Sequence, residues 1–544
     1  MSEQAFLEFA DLREYVEDRL GTEVWLTVYE YTEKDGEKVG YYCALVTPEA
    51  VERCLADTSW DLLIGHGMPG FAYYPDETRR YHRFGDDNGV EPFIIDRDFH
   101  SLKPSYRELS EEFRHFHNLY EDRRTGIFTA LDDNGDDVEV VRMAPKKIQV
   151  RAKYLKDYLA ARNMCMFLFF EFDRWSSQTL EELGLEKQNE DKQEQTYRYI
   201  RFIDTWPTNS TRKTFARLLG KKLIKGTGNY RPSSPWDREN QKYEEFIIGT
   251  DDDGNEVHCT SDEEQLSNYF GKNPGSPQYL TPVFFRKSVM TKYYNDPAKY
   301  RVEDGHVYCG GYWGLRLDNS HRDYVIVYLG DLGKLSHKEQ LYWKSFNVVP
   351  DGGVSEVAFR RGFLGEWADT DEPALAFKAT YECFRETWRE RFGWDLFKPL
   401  NPEDEHYWGT LHVPASENQK EFDDQVMALA KLLVERLNER EIAKHITVHQ
   451  NDKGITKFEK YLDTIDFPDR QQFIELLRNL NGLRSGPAHV KGKDYRRAAQ
   501  HFDLDERGFS QVFSKILDDS TVLLKRLSES AELRNTDLLE EDGE

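Results

Sequence analysis

Apolar and polar positions change period several times along the chain, and each change marks an expected element. Phe6 to Leu20 reads as a short helix. Glu23–Tyr31 and Gly40–Thr47 alternate like two strands, with Asp35-Gly36 as the turn between them. Pro48–Ala56 reads as helical. A second hairpin is expected near Gly126–Val141, where Asp133-Asn134-Gly135 suits a tight turn with positive φ. Val150–Arg162 carries Tyr154, Leu155, Tyr158 and Leu159 at helical spacing. The longest apolar run, Met164–Phe170, opens a strand over Met164–Phe172. Glu181–Glu194 reads as a solvated loop or helix face. Thr211–Lys225 reads as a basic helix carrying Arg212, Lys213, Arg217, Lys221, Lys222 and Lys225.

Further strands are expected at Glu245–Gly249, Pro282–Arg286, His306–Leu317 and Tyr324–Leu329. A helix over Pro373–Phe392 places Leu375, Phe377, Tyr381, Phe384 and Trp388 on one face. From about 405 the pattern becomes helical throughout: Ser416–Arg440, Ile455–Ile465, Pro468–Leu483 and Phe509–Leu527, each with an apolar stripe. Together these four make a bundle. No internal repeat is present.

The 544 residues allow about three or four domains. The expected organisation is an α+β N-terminal domain over 1–145, a possible sensor, and a mixed α/β middle domain over 146–400. An all-α bundle over 405–530 and an acidic tail over 531–544 follow. The fold class is therefore multidomain, mixed α/β (α+β) with a C-terminal helical bundle.

With 39% hydrophobic and 32% charged residues the chain has a globular composition. No apolar run approaches the length of a membrane span, so no membrane partner is expected. The opening MSEQAFLEFADLREY lacks a basic region followed by an apolar one, so no secretion signal is expected and the location reads as cytoplasmic. Cysteines at 43, 54, 165, 259, 309 and 383 form no CxxC pair. They read as free thiols, not a disulfide framework or zinc ribbon. The net charge of −26 argues against a non-specific nucleic-acid coat, and leaves room for one local basic site. Aspartate-glycine clusters near 86, 132 and 251 lack the ligand spacing of an EF-hand loop and read as hairpin turns.

No phosphate-binding loop, dinucleotide fingerprint, HExxH or GxSxG is present. What remains is Arg484-Ser485-Gly486-Pro487-Ala488-His489, just past the third bundle helix. A histidine serves as general acid or base near neutral pH, and an arginine beside it can hold a phosphate bidentately. Lys491, Lys493, Arg496 and Arg497 follow as a basic stretch suited to a nucleic-acid backbone. The spacing is not unique: Arg316/His321, Arg440/His445 and Arg496/His501 share it.

The arrangement helix–RSGPAH–basic loop–helix within a terminal bundle resembles the HEPN superfamily, with Ser485 where that family often has Asn. Active members are metal-independent RNases with an Arg-x4–6-His motif. The resemblance implies that Arg484 and His489 are catalytic, and that Ser485, Lys491, Lys493, Arg496 and Arg497 contact RNA. It implies no metal or cofactor, and a homodimer or higher symmetric assembly whose facing motifs share one cleft. Large chains ending in such a domain resemble bacterial abortive-infection and toxin effectors in antiphage defence, triggered by a phage component or a nucleotide signal. Two alternatives stand beside this reading. One is a non-catalytic protein whose bundle only mediates assembly. The other is a nucleotidyl- or phosphate-transferring enzyme with its chemistry in the middle section, for which a GS-x-D-type motif is missing.

Overall fold

The computed structural model describes residues 2–34, 36–57, 69–85, 88–206, 211–228, 241–268, 270–321, 323–356, 372–484 and 492–541. The protein is a mixed α+β chain with a helical C-terminal region. It forms two compact units, Met1–Arg238 and Glu239–Glu544.

The first unit is built on an eleven-stranded sheet. Its strands are β1 Trp25–Lys34, β2 Glu37–Val46, β3 Val90–Pro92, β4 Tyr120–Asp122, β5 Ile127–Leu131, β6 Asp137–Ala144, β7 Lys147–Arg151, β8 Cys165–Ser176, β9 Gln188–Gln193, β10 Tyr197–Thr205 and β11 Thr214–Lys225. Their order is β9-β10-β11-β8-β2-β1-β7-β6-β5-β4, with β3 on β2, and every ladder is antiparallel. The border expected at 145/146 therefore falls inside this sheet, between the paired strands β6 and β7.

The central strand β8 explains its own apolar run. Met166, Leu168, Phe170 and Phe172 face one core with Leu155, Tyr158 and Leu159 of helix α1, Ala152–Ala161. Phe167 and Phe169 face the other core, with Ala44, Val46, Cys54 and Leu55. Both faces are covered, so alternation is lost. The hairpin turns expected near 132 and 251 are present, and the cluster near 86 lies partly outside the described residues. Gly135 has φ +71°, and the Asp132 carboxylate accepts from the N–H groups of Asn134 and Asp136 at 2.8 and 2.9 Å. Asp251 does the same for Asp253 and Asn255 at 3.0 and 2.8 Å.

Several expected elements differ: His306–Leu317 is two strands, and Ser416–Arg440 is the helix Gln419–Ala430 with the π-helical turn Lys431–Glu435. Phe6–Leu20 is divided into helical turns at Glu3–Leu7, Ala10–Glu14 and Tyr15–Arg19, the first break falling at Phe9, whose φ is +56°. Glu181–Glu194 contains the helix Leu180–Leu183 and then β9, an edge strand whose polar residues alternate between half-buried and exposed. The basic segment Thr211–Lys225 is the strand β11, not a helix. Lys213, Arg217, Lys221 and Lys225 recur every four residues, a period that a helix face and a strand face both satisfy. Neighbouring Lys221 and Lys222 consequently point to opposite faces. Lys221 is fully buried and donates to the carbonyls of Cys54 and Asp57. Lys222 donates to the Glu17 carbonyl at 2.6 Å. Arg217 holds Asp173 with two nitrogens, Nη2 at 2.9 Å. Arg217, Lys221 and Lys222 are thus occupied inside the protein, whereas Lys213 and Lys225 are exposed.

Arg174, only 3% exposed, ties the N-terminal turns to the sheet. It donates to both Asp11 carboxylate oxygens at 2.8 and 3.0 Å, to Glu37 at 2.7 Å and to the Phe6 carbonyl at 2.7 Å. This guanidinium holds the Asp11 carboxyl below the ordinary aspartate range.

The second unit begins with small antiparallel sheets. Pro282–Arg286 lies between Tyr324–Tyr328 and Asn347–Val348, and Tyr300–Glu303, His306–Cys309 and Trp313–Arg316 form a meander. The helical region follows: α2 Pro373–Phe392, α3 Gln419–Ala430, α4 Gly454–Thr464, α5 Arg470–Arg484, α6 Lys493–His501 and α7 Phe509–Glu541. One hydrophobic core runs from Ala374 to Leu527. The helical body thus includes α2, expected as part of the middle section, and α7 continues as helix through the segment expected as a tail. Among the described residues no helix is long and apolar enough to cross a membrane. All six cysteines are free thiols.

Candidate functional site

The site grows from the end of α5. Phe473, Leu476, Leu477, Leu480 and Leu483 of this helix are buried in the bundle core at the spacing of one helix face. Arg484 is its last residue and its side chain is 30% exposed. Arg484 Nη2 meets Glu435 Oε1 at 2.5 Å. Glu435 ends the π-helical turn Lys431–Glu435 that continues α3, and it also takes the Lys431 amine at 2.8 Å. One carboxylate therefore orients the guanidinium and leaves part of its donor edge open.

The basic stretch that reads as a loop is the helix α6. Tyr495, Ala498 and Ala499 are buried, while Lys493, Arg496 and Arg497 are exposed on the opposite face at i, i+3 and i+4. Its seat on α5 depends on Gly482. A Cβ there would lie 3.0 Å from the Asp494 carbonyl oxygen and 3.1 Å from Ala498 Cβ. The small residues Gly482 and Ala498 thus let the two helices approach closely, and bring the cationic face of α6 beside the helix that ends in Arg484.

Most arginines in this acidic chain hold a carboxylate. Among the described residues no carboxylate lies within ion-pair distance of Lys493, Arg496 or Arg497. Arg497 lines a groove of about 610 Å³ between α4, α5 and α6, together with Arg478, Asn481, Gly482 and Asp494. Arg478 is tied to Glu459 at 2.6 Å. The open cation on that wall is Arg497.

The histidines of the other Arg-x4-His pairs each have a neighbour of their own. His321 Nδ1 accepts from the backbone N–H groups of Asp323 and Tyr324 at 3.2 and 3.1 Å, and Arg316 lies over the Tyr328 ring. His445 stacks on Trp394 with ring centroids 5.8 Å apart. His501 faces Glu475 at 3.6 Å. Ser485, His489 and Lys491 lie outside the described residues. Of the expected set the structure describes Arg484 at the end of α5 and Lys493, Arg496 and Arg497 on α6. Sequence reading missed Glu435 and Gly482. No local motif signals the first, whereas a glycine inside an apolar helical stripe is a recognisable sign of close packing for the second. Comparison with protein-family models, with curated proteins and with solved structures finds no match for this chain.

Proposed function

We propose that the protein is a metal-independent endoribonuclease of HEPN type, acting as a toxin or abortive-infection effector in antiphage defence. One observation supports this most: three exposed cations, without carboxylate partners among the described residues, share one face of α6, a helix packed against the one that ends in Arg484. In a chain of net charge −26, such a face suits a polyphosphate backbone. In the proposed reaction the RNA 2′-OH attacks the adjacent phosphorus and the P–O5′ bond breaks. His489 takes the 2′-OH proton as base and returns a proton to the departing O5′ as acid. The products are a 2′,3′-cyclic phosphate and a 5′-hydroxyl, with no cofactor consumed. Arg484 holds the phosphate and stabilises the charge that develops on it. Lys493, Arg496 and Arg497, with Ser485 and Lys491, position the strand. A homodimer would supply two such motifs to one cleft.

The test is expression of the wild type beside His489→Ala in bacteria, with and without phage, followed by analysis of RNA ends. New 5′-hydroxyl ends in the wild type alone are expected. Intact RNA in both, with the same phage outcome, overturns the nuclease.

A second reading is an assembly module, and the Arg484–Glu435 pair favours it, since a structural ion pair needs no substrate. Arg484→Ala separates the two. Loss of RNA cleavage with assembly retained supports the nuclease; loss of assembly supports the module.

A further inference from the structure

A cavity of about 1190 Å³ in the second unit lies away from Arg484. It opens between α2, α7, the helix Glu405–Thr410 and the strand Tyr300–Glu303. Its wall includes Tyr294, Tyr300, Leu375, Trp408 and Leu524, and one sheltered cation, Lys378 of α2.

Lys378 contrasts with half-buried lysines that meet a carboxylate, such as Lys292, which reaches Glu339 at 2.5 Å, and Lys38, which reaches Glu171 at 3.1 Å. The Lys378 amine stands 5.8 Å from the centroid of the Trp408 ring. Among the described residues it has no hydrogen-bond acceptor and no carboxylate within ion-pair distance. Glu372 and Glu382 act on it only at longer range, and burial outweighs them, pushing the amine down to about 8. A cation sheltered from water without a counter-ion is costly, and an anion brought in by a ligand removes that cost. The remaining charges at the mouth are the exposed Arg301, Glu303, Glu382, Lys525 and Glu529 and the half-buried Asp304, and Arg301 is already paired with Glu303 at 2.9 Å. Such a mouth, richer in acid than in base, disfavours a polyanion and admits a ligand with a single anionic group. The aromatic wall supplies the apolar contact, and the volume accommodates a nucleotide-sized molecule.

We propose that this cavity binds a small molecule in which a flat ring carries one phosphate or carboxylate, the anion pairing with Lys378 and the ring lying on the aromatic wall beside Trp408. The site stands independently of the ribonuclease reading, because none of its residues belongs to the Arg484 region.

The test is calorimetric titration of the full chain with adenosine 5′-monophosphate and indole-3-carboxylate. Adenosine, ribose 5-phosphate and adenosine triphosphate serve as the ring-only, anion-only and polyanion controls. At least one of the two ring-bearing anions is expected to bind below ~1 mM and about tenfold tighter than each control. Which of the two binds identifies phosphate or carboxylate as the anion. Lys378→Met is expected to weaken that binding about tenfold, and Lys378→Arg to retain it. Circular dichroism melts show whether each variant folds; if Lys378→Met does not, Trp408→Leu with the same expected loss takes its place. Failure of both ring-bearing anions to bind below ~1 mM overturns the proposal, as does binding unchanged in the variant that folds.

Discussion

Arg484 and Glu435 meet at 2.5 Å, joining the last residue of α5 to the π-helical end of α3. The contact fixes a guanidinium at the point where the RSGPAH segment begins. A planar donor held on one side by a carboxylate presents its remaining N–H groups in a defined direction. Removing the orienting charge while keeping the shape should therefore cost rate more than stability. Glu435→Gln is expected to lower RNA cleavage about ten- to a hundredfold, with little change in melting temperature. Single-turnover cleavage beside a thermal melt checks both halves.

The cationic face of α6 makes a separate prediction about salt. Each phosphate contact releases condensed counter-ions and steepens the dependence of binding on salt by about 0.7 for a single strand. Replacing Lys493, Arg496 and Arg497 together by Gln should flatten the slope of log affinity against log salt by about 2. Fluorescence anisotropy with a single-stranded RNA across a salt series measures it. An unchanged slope would remove α6 from the RNA path.

Gly482 tests whether α6 must sit closely on α5. Valine there places carbon against the Asp494 carbonyl and Ala498 Cβ, neither of which is the end of a flexible side chain. Gly482→Val is expected to destabilise the second unit by about 1–3 kcal/mol and to weaken RNA binding. Gly482→Ala, smaller and better for a helix interior, should show a milder loss. Denaturant unfolding of the two variants gives the order.

In the first unit, Arg174 closes a buried network with Asp11, Glu37 and the Phe6 carbonyl. Arg174→Ala leaves those acceptors without their donor and should cost roughly 3–5 kcal/mol. Asp11 gives the accompanying pH signature. Its carboxyl titrates lower in the folded state than unfolded, so its contribution is present above the ordinary aspartate range. That contribution is lost as pH falls through the folded value, and Asp11→Asn should therefore differ from wild type less in acid than at neutral pH. Urea unfolding from pH 7 to pH 3 follows it.

Lys378 predicts the opposite direction. Its amine loses its proton near 8 when folded and near the ordinary lysine value, about 10.4, when unfolded. Between those values the unfolded chain holds the extra proton, so stability rises with pH. Below 8 the folded state carries the full cost of the sheltered charge. Lys378→Met cannot titrate, so its stability advantage over wild type should shrink as pH rises from 7 to 10. Paired unfolding curves across that range decide it.

What the sequence determined by itself is what local chemistry enforces. Pro373 with an apolar stripe defines α2, Pro282–Arg286 is a strand from end to end, and Asp-Asn-Gly turns define hairpins, because backbone preference and burial period agree there. The helix that ends at Arg484 was also legible. Tertiary structure decided the rest. Basic residues spaced by four suit a helix and a strand equally, and only the ladders on either side of β11 make Lys221 an interior donor. The polar segment of β9 becomes a strand because β10 offers it a free edge. Glu435 meets Arg484, and Lys378 stands without a counter-ion among the described residues, through contacts between segments far apart in the chain. Spacing along a sequence carries periodicity and turn chemistry, whereas the partner of a charge is set by which distant surfaces the core brings together.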